Sequence, residues 1–251
     1  MTIDWLYPAL TATAAVAGFI DAIAGGGGLI SVPALLYAGL PPTMALGTNK
    51  LQSSCGTALA AWKYHRAGLF ALRPNLVAVG CVLAGAAAGA WAIQRMAPDV
   101  LKMVVPVLLL AVVAYTVLSP KMHDHEGEPK IGEKAYLPLA SGIGFYDGFF
   151  GPGTGQFFAI TLVSLRGQGL TRATGLTKLF NLTSNLASLA VFAVGGKILW
   201  TLGLCMALGS MSGAWAGSHM ATRLGARMIR PLLIAVSLSL TAKLVWGWFS
   251  A

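Results

Sequence analysis

The sequence predicts an all-α polytopic membrane protein made of two homologous, inverted repeats, each with a glycine-broken helical hairpin plus about three full transmembrane helices. Three observations lead there. Hydrophobic residues make up 56% of the chain and charged residues 10%, where a soluble domain carries roughly 25% charged. Apolar stretches recur at about 20 residues, the length that crosses roughly 30 Å of hydrocarbon. The third is a duplication: Gly18-Phe19-Ile20-Asp21-Ala22-Ile23-Ala24-Gly25-Gly26-Gly27 returns 126 residues later as Gly144-Phe145-Tyr146-Asp147-Gly148-Phe149-Phe150-Gly151-Pro152-Gly153, in the frame G-F-x-D-x-x-x-G-x-G. Gly47-Thr48-Asn49-Lys50-Leu51 likewise answers Gly175-Leu176-Thr177-Lys178-Leu179, and the segment 85–92 answers 209–216.

The first element is the apolar stretch 6–40. Its start lacks a basic n-region and has Asp4 where Lys or Arg would stand in a signal peptide, so the stretch is expected to remain in the mature protein. It breaks at Gly25-Gly26-Gly27-Gly28. The piece 29–39 would be about 16 Å long as a helix, too short to cross alone. Full spans are expected at 45–65, 74–94 and 100–119. The polar stretch 121–134 then separates the two repeats, dividing the chain into 1–120, 121–134 and 135–251. A second interrupted stretch, 136–165, breaks at Gly151-Pro152-Gly153-Thr154-Gly155, and spans at 174–195, 199–220 and 231–249 follow. Trp5 and Tyr7 near one end, and Trp246, Trp248 and Phe249 near the other, suit an interfacial aromatic belt.

Charge decides how the broken stretches are treated. If each crosses once, the loop cations divide seven against seven and no orientation is specified. If each goes in and comes back as a hairpin, Lys63, Arg66, Arg73, Lys121, Lys130, Lys134, Arg166, Arg172, Arg223, Arg227 and Arg230 share one side, leaving Arg95, Lys102 and Lys197 opposite. Eleven against three is a strong positive-inside bias. The expectation is therefore inverted repeats, with both termini outside and the loops 63–73 and 121–134 in the cytoplasm.

Irregular backbone at membrane depth is tolerated only where protein or a watery cavity surrounds it. The two glycine breaks are such places. A helix starts after each, and its first N–H groups and dipole favour an anion. Gly25, Gly26, Gly27, Gly28, Gly151, Gly153, Thr154 and Gly155 are thus candidate ligand-binding positions. Lys50 and Lys178 stand at matching positions inside apolar helices, Lys50 roughly 10–12 Å beyond Pro42. A lysine so placed is costly and functional by default; the alternative is a side chain that snorkels to the interface. Ser53 and Thr57 follow on the face of Lys50, Asn181 and Asn185 on that of Lys178, and Asn49 and Thr177 precede the two lysines. A cation followed by neutral hydrogen-bonding groups can hold a small oxyanion without a metal. Asp21 and Asp147, the acids inside the spans, could balance the lysines, cap the breaks or take up a proton.

Other readings fall away. The formal charge of +9 is scattered over helix ends and forms no stripe, which argues against nucleic acid. Cys55, Cys81 and Cys205 lie inside apolar spans without metal-ligand spacing and are expected to be buried thiols. No Ser-His-Asp arrangement, HExxH or Walker motif supports catalysis. The small residues at 85–92 and 209–216 are expected to serve close helix packing.

With these residues in this order and duplicated, the chain resembles the TauE/SafE sulfite exporter family, also called the 4-toluene sulfonate uptake permease family. The resemblance rests on Gly18 to Pro33, on Gly47 to Ser54, and on Gly144 to Gly155 with Thr177-Lys178-Leu179. It implies a multi-pass permease of a bacterial inner membrane that moves sulfite, sulfonates or related sulfur anions, export before uptake; the repeat architecture gives alternating access of one repeat against the other as the expected mechanism, and no cofactor is expected. The partners are then a small anionic substrate and the lipid bilayer, with proton coupling and a homo-oligomer left open. An anion channel, or an uptake permease for another small anion, are the alternatives. The second copy carries Gly153 and Thr154 for the third and fourth glycines, and Thr177 for Asn49, so the two half-sites are not chemically equal.

Overall fold

The computed structural model describes residues 3–118 and 125–224. The expected span 231–249, with Trp246, Trp248 and Phe249, and part of the polar loop lie outside the described residues. All regular structure among the described residues is helical: α1 Ile3–Ala24, α2 Gly28–Tyr37, α3 Pro42–Arg66, a 3-10 turn Arg73–Asn75, α4 Leu76–Gln94, α5 Pro98–Leu118, α6 Glu133–Phe149, α7 Thr154–Ser164, α8 Leu170–Val194 and α9 Trp200–Leu224.

The breaks fall where the glycines demand them. Gly25 N–H donates to Asp21 O at 2.9 Å, and Gly25 then takes φ +69°, which an L side chain rarely adopts; α1 stops there. Gly151 ends α6 in the same way at φ +99°. Each break reverses the chain. Leu35 of α2 clusters with Leu10 and Ala14 of α1, while the Tyr136 hydroxyl of α6 lies 3.0 Å from Thr161 Oγ1 of α7. Tyr146 OH also donates to Pro152 O at 2.7 Å, clasping the second tip. Both broken stretches are therefore helical hairpins.

Three segments are long and apolar enough to cross a membrane among the described residues: Trp5–Ala24, Arg73–Gln94 and Pro98–Tyr115. The helix α1 thus has crossing length by itself, whereas α2, at 10 residues, does not. α3, α8 and α9, at 25 residues each, are long enough but less apolar. For α3 and α8 the cause is their inner faces. Asn49, Lys50, Gln52, Ser54 and Thr57 are buried on α3, and Thr177, Lys178, Asn181, Ser184, Asn185 and Ser188 on α8.

Helices in lipid gain little from hiding apolar surface from one another, so close packing holds them. The hairpin helix α1 packs on α9 and the hairpin helix α6 on α4. The small residues of 85–92 and 209–216 make both contacts: a Cβ at Gly85 or Gly89 would run into the Ser141 or Phe145 carbonyl, and one at Gly209 or Gly213 into the Thr11 or Ala15 carbonyl. The largest apolar core joins Ile20, Leu29 and Leu46 to Ile93, Leu109, Phe150 and Phe192 beneath the hairpin tips.

The outer surface is apolar as well. Val77, Leu83, Trp91, Val107, Leu204, Leu208 and Trp215 are exposed, as lipid-facing side chains are. Arg66, Arg95 and Lys63 lie over the rings of Trp62, Trp91 and Trp215 at 5.3, 4.3 and 4.5 Å, the pairing of basic and aromatic groups found at membrane surfaces. Cys55, Cys81 and Cys205, expected to be buried, are half-buried instead. In a chain surrounded by lipid, an apolar segment needs no protein cover on its outer face.

Candidate functional site

The two hairpin tips touch. A Cβ at Gly25 would stand 2.8 Å from the Gly155 backbone, and one at Gly28 would stand 3.1 Å from Pro152 Cα. Only glycine permits so close an approach of two main chains. The helices that start there, α2 and α7, have Gly27 and Gly153 at their N-caps, and neither start carries a side-chain cap. Leu29 and Ile30 N–H donate to Gly26 and Gly27 O, and Thr154 and Gln156 N–H to Gly151 and Gly153 O, so at each start one amide, Gly28 or Gly155, is left for something else to meet.

Around the tips stand α3 and α8, each with its lysine turned inward. Lys50 and Lys178 are both fully buried, so neither snorkels to an interface. Each pairs with the aspartate of the hairpin from the other copy of the motif. Lys50 Nζ donates to Asp147 Oδ1 at 2.8 Å, with side chains 2% and 4% exposed, and to Asn185 Oδ1 at 3.1 Å. Lys178 Nζ donates to the main-chain carbonyl of Asp21 and lies 3.4 Å from its Oδ2, with side chains 0% and 25% exposed.

The two pairs are unequal for a reason visible in the chain. Asp147 also accepts from Thr154 Oγ1 at 3.0 Å and from Ser184 Oγ. Thr154 stands seven residues after Asp147, and Ser184 six after Lys178; the same steps from Asp21 and Lys50 lead to Gly28 and Gly56. Asp21 therefore lacks both hydroxyls. A 3.3 Å bond from Gly27 N–H to Oδ1 and the long contact to Lys178 are what hold its carboxylate.

Of the residues singled out from sequence, Gly25, Gly26, Gly28, Asn49, Lys50, Ser53, Gly151, Gly153, Thr154, Gly155, Asn181 and Asn185 line one cavity with Asp21 and Asp147. Its volume is about 30 Å³, room for about two waters at 10–15 Å³ each. Gly27 and Thr57 line a smaller neighbouring cavity. Lys178 lies behind the first cavity, against Asp21, and Thr177 Oγ1 is buried without a partner. Asn181 Oδ1, also buried without a partner, belongs to a residue on the cavity wall.

Sequence reasoning passed over Ser31, Gln52, Ser184 and Ser210. Ser31 Oγ donates to Asn49 Oδ1 at 2.6 Å and Gln52 Nε2 to the same oxygen at 2.8 Å, which fixes the Asn49 side chain. Ser184 continues the polar stripe Thr177, Asn181, Asn185 and Ser188 at helical spacing, and following that stripe along α8 would have found it.

Chemically, the cavity offers one buried ammonium, two helix starts, amide side chains and hydroxyls, with two carboxylates each tied to a lysine. Such a set can hold a small anion and let it go, and among the residues lining the cavity no nucleophile stands beside a histidine base. Relatives agree in kind. A probable membrane transporter protein of Haemophilus influenzae is 44% identical over 237 residues, covering 93% of each chain. Probable membrane transporter protein ORF9 of a Sinorhizobium species is 44% identical, covering 94% of this chain and 91% of that one. Probable membrane transporter protein YfcA of Escherichia coli K12 is 39% identical, covering 93% and 87%. No solved structure matches the chain. The family model described as sulfite exporter TauE/SafE matches residues 10–244, so the chain belongs to the TauE/SafE sulfite exporter family and is a membrane transporter.

Proposed function

We propose that the protein is a multi-pass secondary transporter of the cell inner membrane that exports a small sulfur oxyanion, sulfite or a sulfonate, by alternating access of two inverted repeats. The observation that carries this reading is the crossed pairing, Lys50 with Asp147 and Lys178 with Asp21, around a cavity lined by glycine-rich helix starts. Each pair joins one sequence copy to the other, so moving one repeat against the other breaks and remakes both.

Contacts at the helix ends support the inverted arrangement. Gly127 N–H donates to Gly167 O at 2.8 Å, and Arg172 pairs with Glu126 at 2.8 Å. Lys63 Nζ donates to Trp215 O at 2.8 Å, and Gln94 Nε2 to Val191 O at 3.4 Å. Each contact joins positions that inverted repeats put on one side of the membrane and parallel repeats put on opposite sides.

The anion sits on the Gly28 and Gly155 N–H groups at the starts of α2 and α7, with Lys50 supplying charge and Asn185 and Thr154 orienting it. With room for about two waters the cavity takes sulfite or hydrogen sulfite once the tips part slightly, and the O–H of the latter would meet the unpartnered Asn181 Oδ1. A bulkier sulfonate requires the tips to part further. Counterflow of labelled sulfite in proteoliposomes tests the reading: exchange driven by unlabelled sulfite on the other side is expected, and flux that never saturates would point to a channel instead.

A further inference from the structure

The second cavity, about 10 Å³, shares Asp21 and Ser53 with the first. It is about the least space that holds one water. Its polar side chains are Asp21, Gln52, Ser53, Thr57 and Ser210, and no lysine, arginine or histidine lines it. Gln52 is 2% exposed; its Nε2 is engaged with Asn49 at 2.8 Å and Ser53 at 3.0 Å, while its Oε1 has no partner. A buried amide oxygen left unmet is costly, and its presence asks for a donor or a cation. Asp21 lies in the last turn of α1, where the helix dipole is negative.

We infer that this cavity binds a dehydrated Na⁺ on Asp21 and the oxygens of Gln52, Ser53, Thr57 and Ser210. The donor set is all hard oxygen, which excludes soft metals. It carries a single formal charge, which suits a monovalent ion. A proton on Asp21 makes one O–H donor and satisfies at most one of these oxygens, whereas a cation is met by all of them. Asp21 is also the less committed carboxylate, held by a 3.3 Å bond from Gly27 N–H and a 3.4 Å contact to Lys178, whereas Asp147 is already held by Lys50, Thr154 and Ser184.

The site has a consequence for the neighbouring cavity, and this part rests on the transporter reading. Asp21 is on both walls, so a cation on it removes negative charge from the place where the anion binds. It also competes with Lys178 for Asp21, leaving that ammonium less compensated. Na⁺ and the anion then bind more tightly together than apart, which is the thermodynamic content of coupling.

The test is equilibrium binding of radiolabelled Na⁺ to the purified full-length protein in detergent, with N-methylglucamine as the other cation. Saturable binding at about one ion per chain is expected, at least tenfold weaker in Asp21→Asn and measurably weaker in Ser210→Ala, which deletes one hydroxyl from the cavity wall. Monodisperse protein that binds no Na⁺, or binding unchanged in both variants, overturns the site. Sulfite flux that follows a pH gradient without any Na⁺ binding does the same and hands Asp21 to the proton. Na⁺ binding without sulfite flux would instead leave this site standing and sink the anion reading.

Discussion

Lys50 and Asp147, 97 residues apart, form a 2.8 Å ion pair with almost no solvent on either side chain. The pair ties α3 to the tip of the α6–α7 hairpin. It survives burial because its remaining capacity is met: Asn185 takes a second ammonium proton, and Thr154 and Ser184 cover the carboxylate. Its counterpart, Lys178 with Asp21, is looser because Gly28 and Gly56 stand where those two hydroxyls would be.

This difference orders two substitutions. Asp147→Asn strands a buried lysine and is expected to cost about 3–5 kcal/mol, whereas Asp21→Asn costs clearly less, because the Asp21 main-chain carbonyl still holds Lys178. Thermal unfolding of the detergent-purified variants compares them. Equal losses would contradict the asymmetry.

Removing both charges of the tight pair separates stability from function. Lys50→Met combined with Asp147→Asn leaves no unpaired ion, so its unfolding temperature is expected above that of either single variant. Sulfite flux is expected to be lost in all three. A double variant no more stable than the worse single one would show that the pair is not the source of the loss.

Close approach at the tips makes a sharper demand on glycine than helix geometry does. Gly25→Ala meets both the Gly155 backbone and a positive φ, and is expected to abolish flux. Gly80→Ala, inside α4 with open space around it, is expected to be neutral or to stabilise by about 0.5–1 kcal/mol. Flux through Gly25→Ala at the parent rate would mean that the tips part without effort and do not shape the site.

Sidedness follows from the contacts at the helix ends. In a background with Cys55, Cys81 and Cys205 replaced, Lys130→Cys and Arg166→Cys are expected to react with an impermeant maleimide from one side, and Lys197→Cys from the other. Labelling of Lys130→Cys and Arg166→Cys from opposite sides would exclude inverted repeats.

Much of the site was legible in the residues because glycine runs and a buried lysine have few uses in an apolar chain. The glycines at 25–28 and 151–155 and the two lysines could be picked out on that ground, and Asn181 and Asn185 by their spacing from Lys178, although Gly27, Thr177 and Lys178 do not line the first cavity. Which aspartate meets which lysine could not. The duplication relates Asp21 to Asp147 and Lys50 to Lys178, but the exchange of partners arises from α1 packing on α9 and α6 on α4, long-range contacts without a local signature. Ser184 and Gln52 went unnoticed for a related reason: a serine or glutamine in a helix is unremarkable until the fold brings Asp147 of α6 to the Ser184 hydroxyl and Ser31 of α2 to the Gln52 amide. α3, α8 and α9, expected from sequence to be spans, are less apolar than the three segments of crossing character, and on α3 and α8 the polar faces that line the cavity dilute the hydropathy.

The most direct measurement is uptake of labelled sulfite into proteoliposomes holding the purified protein, beside a Lys50→Ala/Lys178→Ala double variant of verified fold. Saturable flux in the parent that falls to the level of empty liposomes in the variant is the predicted result. Flux that persists unchanged without both lysines would contradict the crossed-pair site as the place where the anion is held.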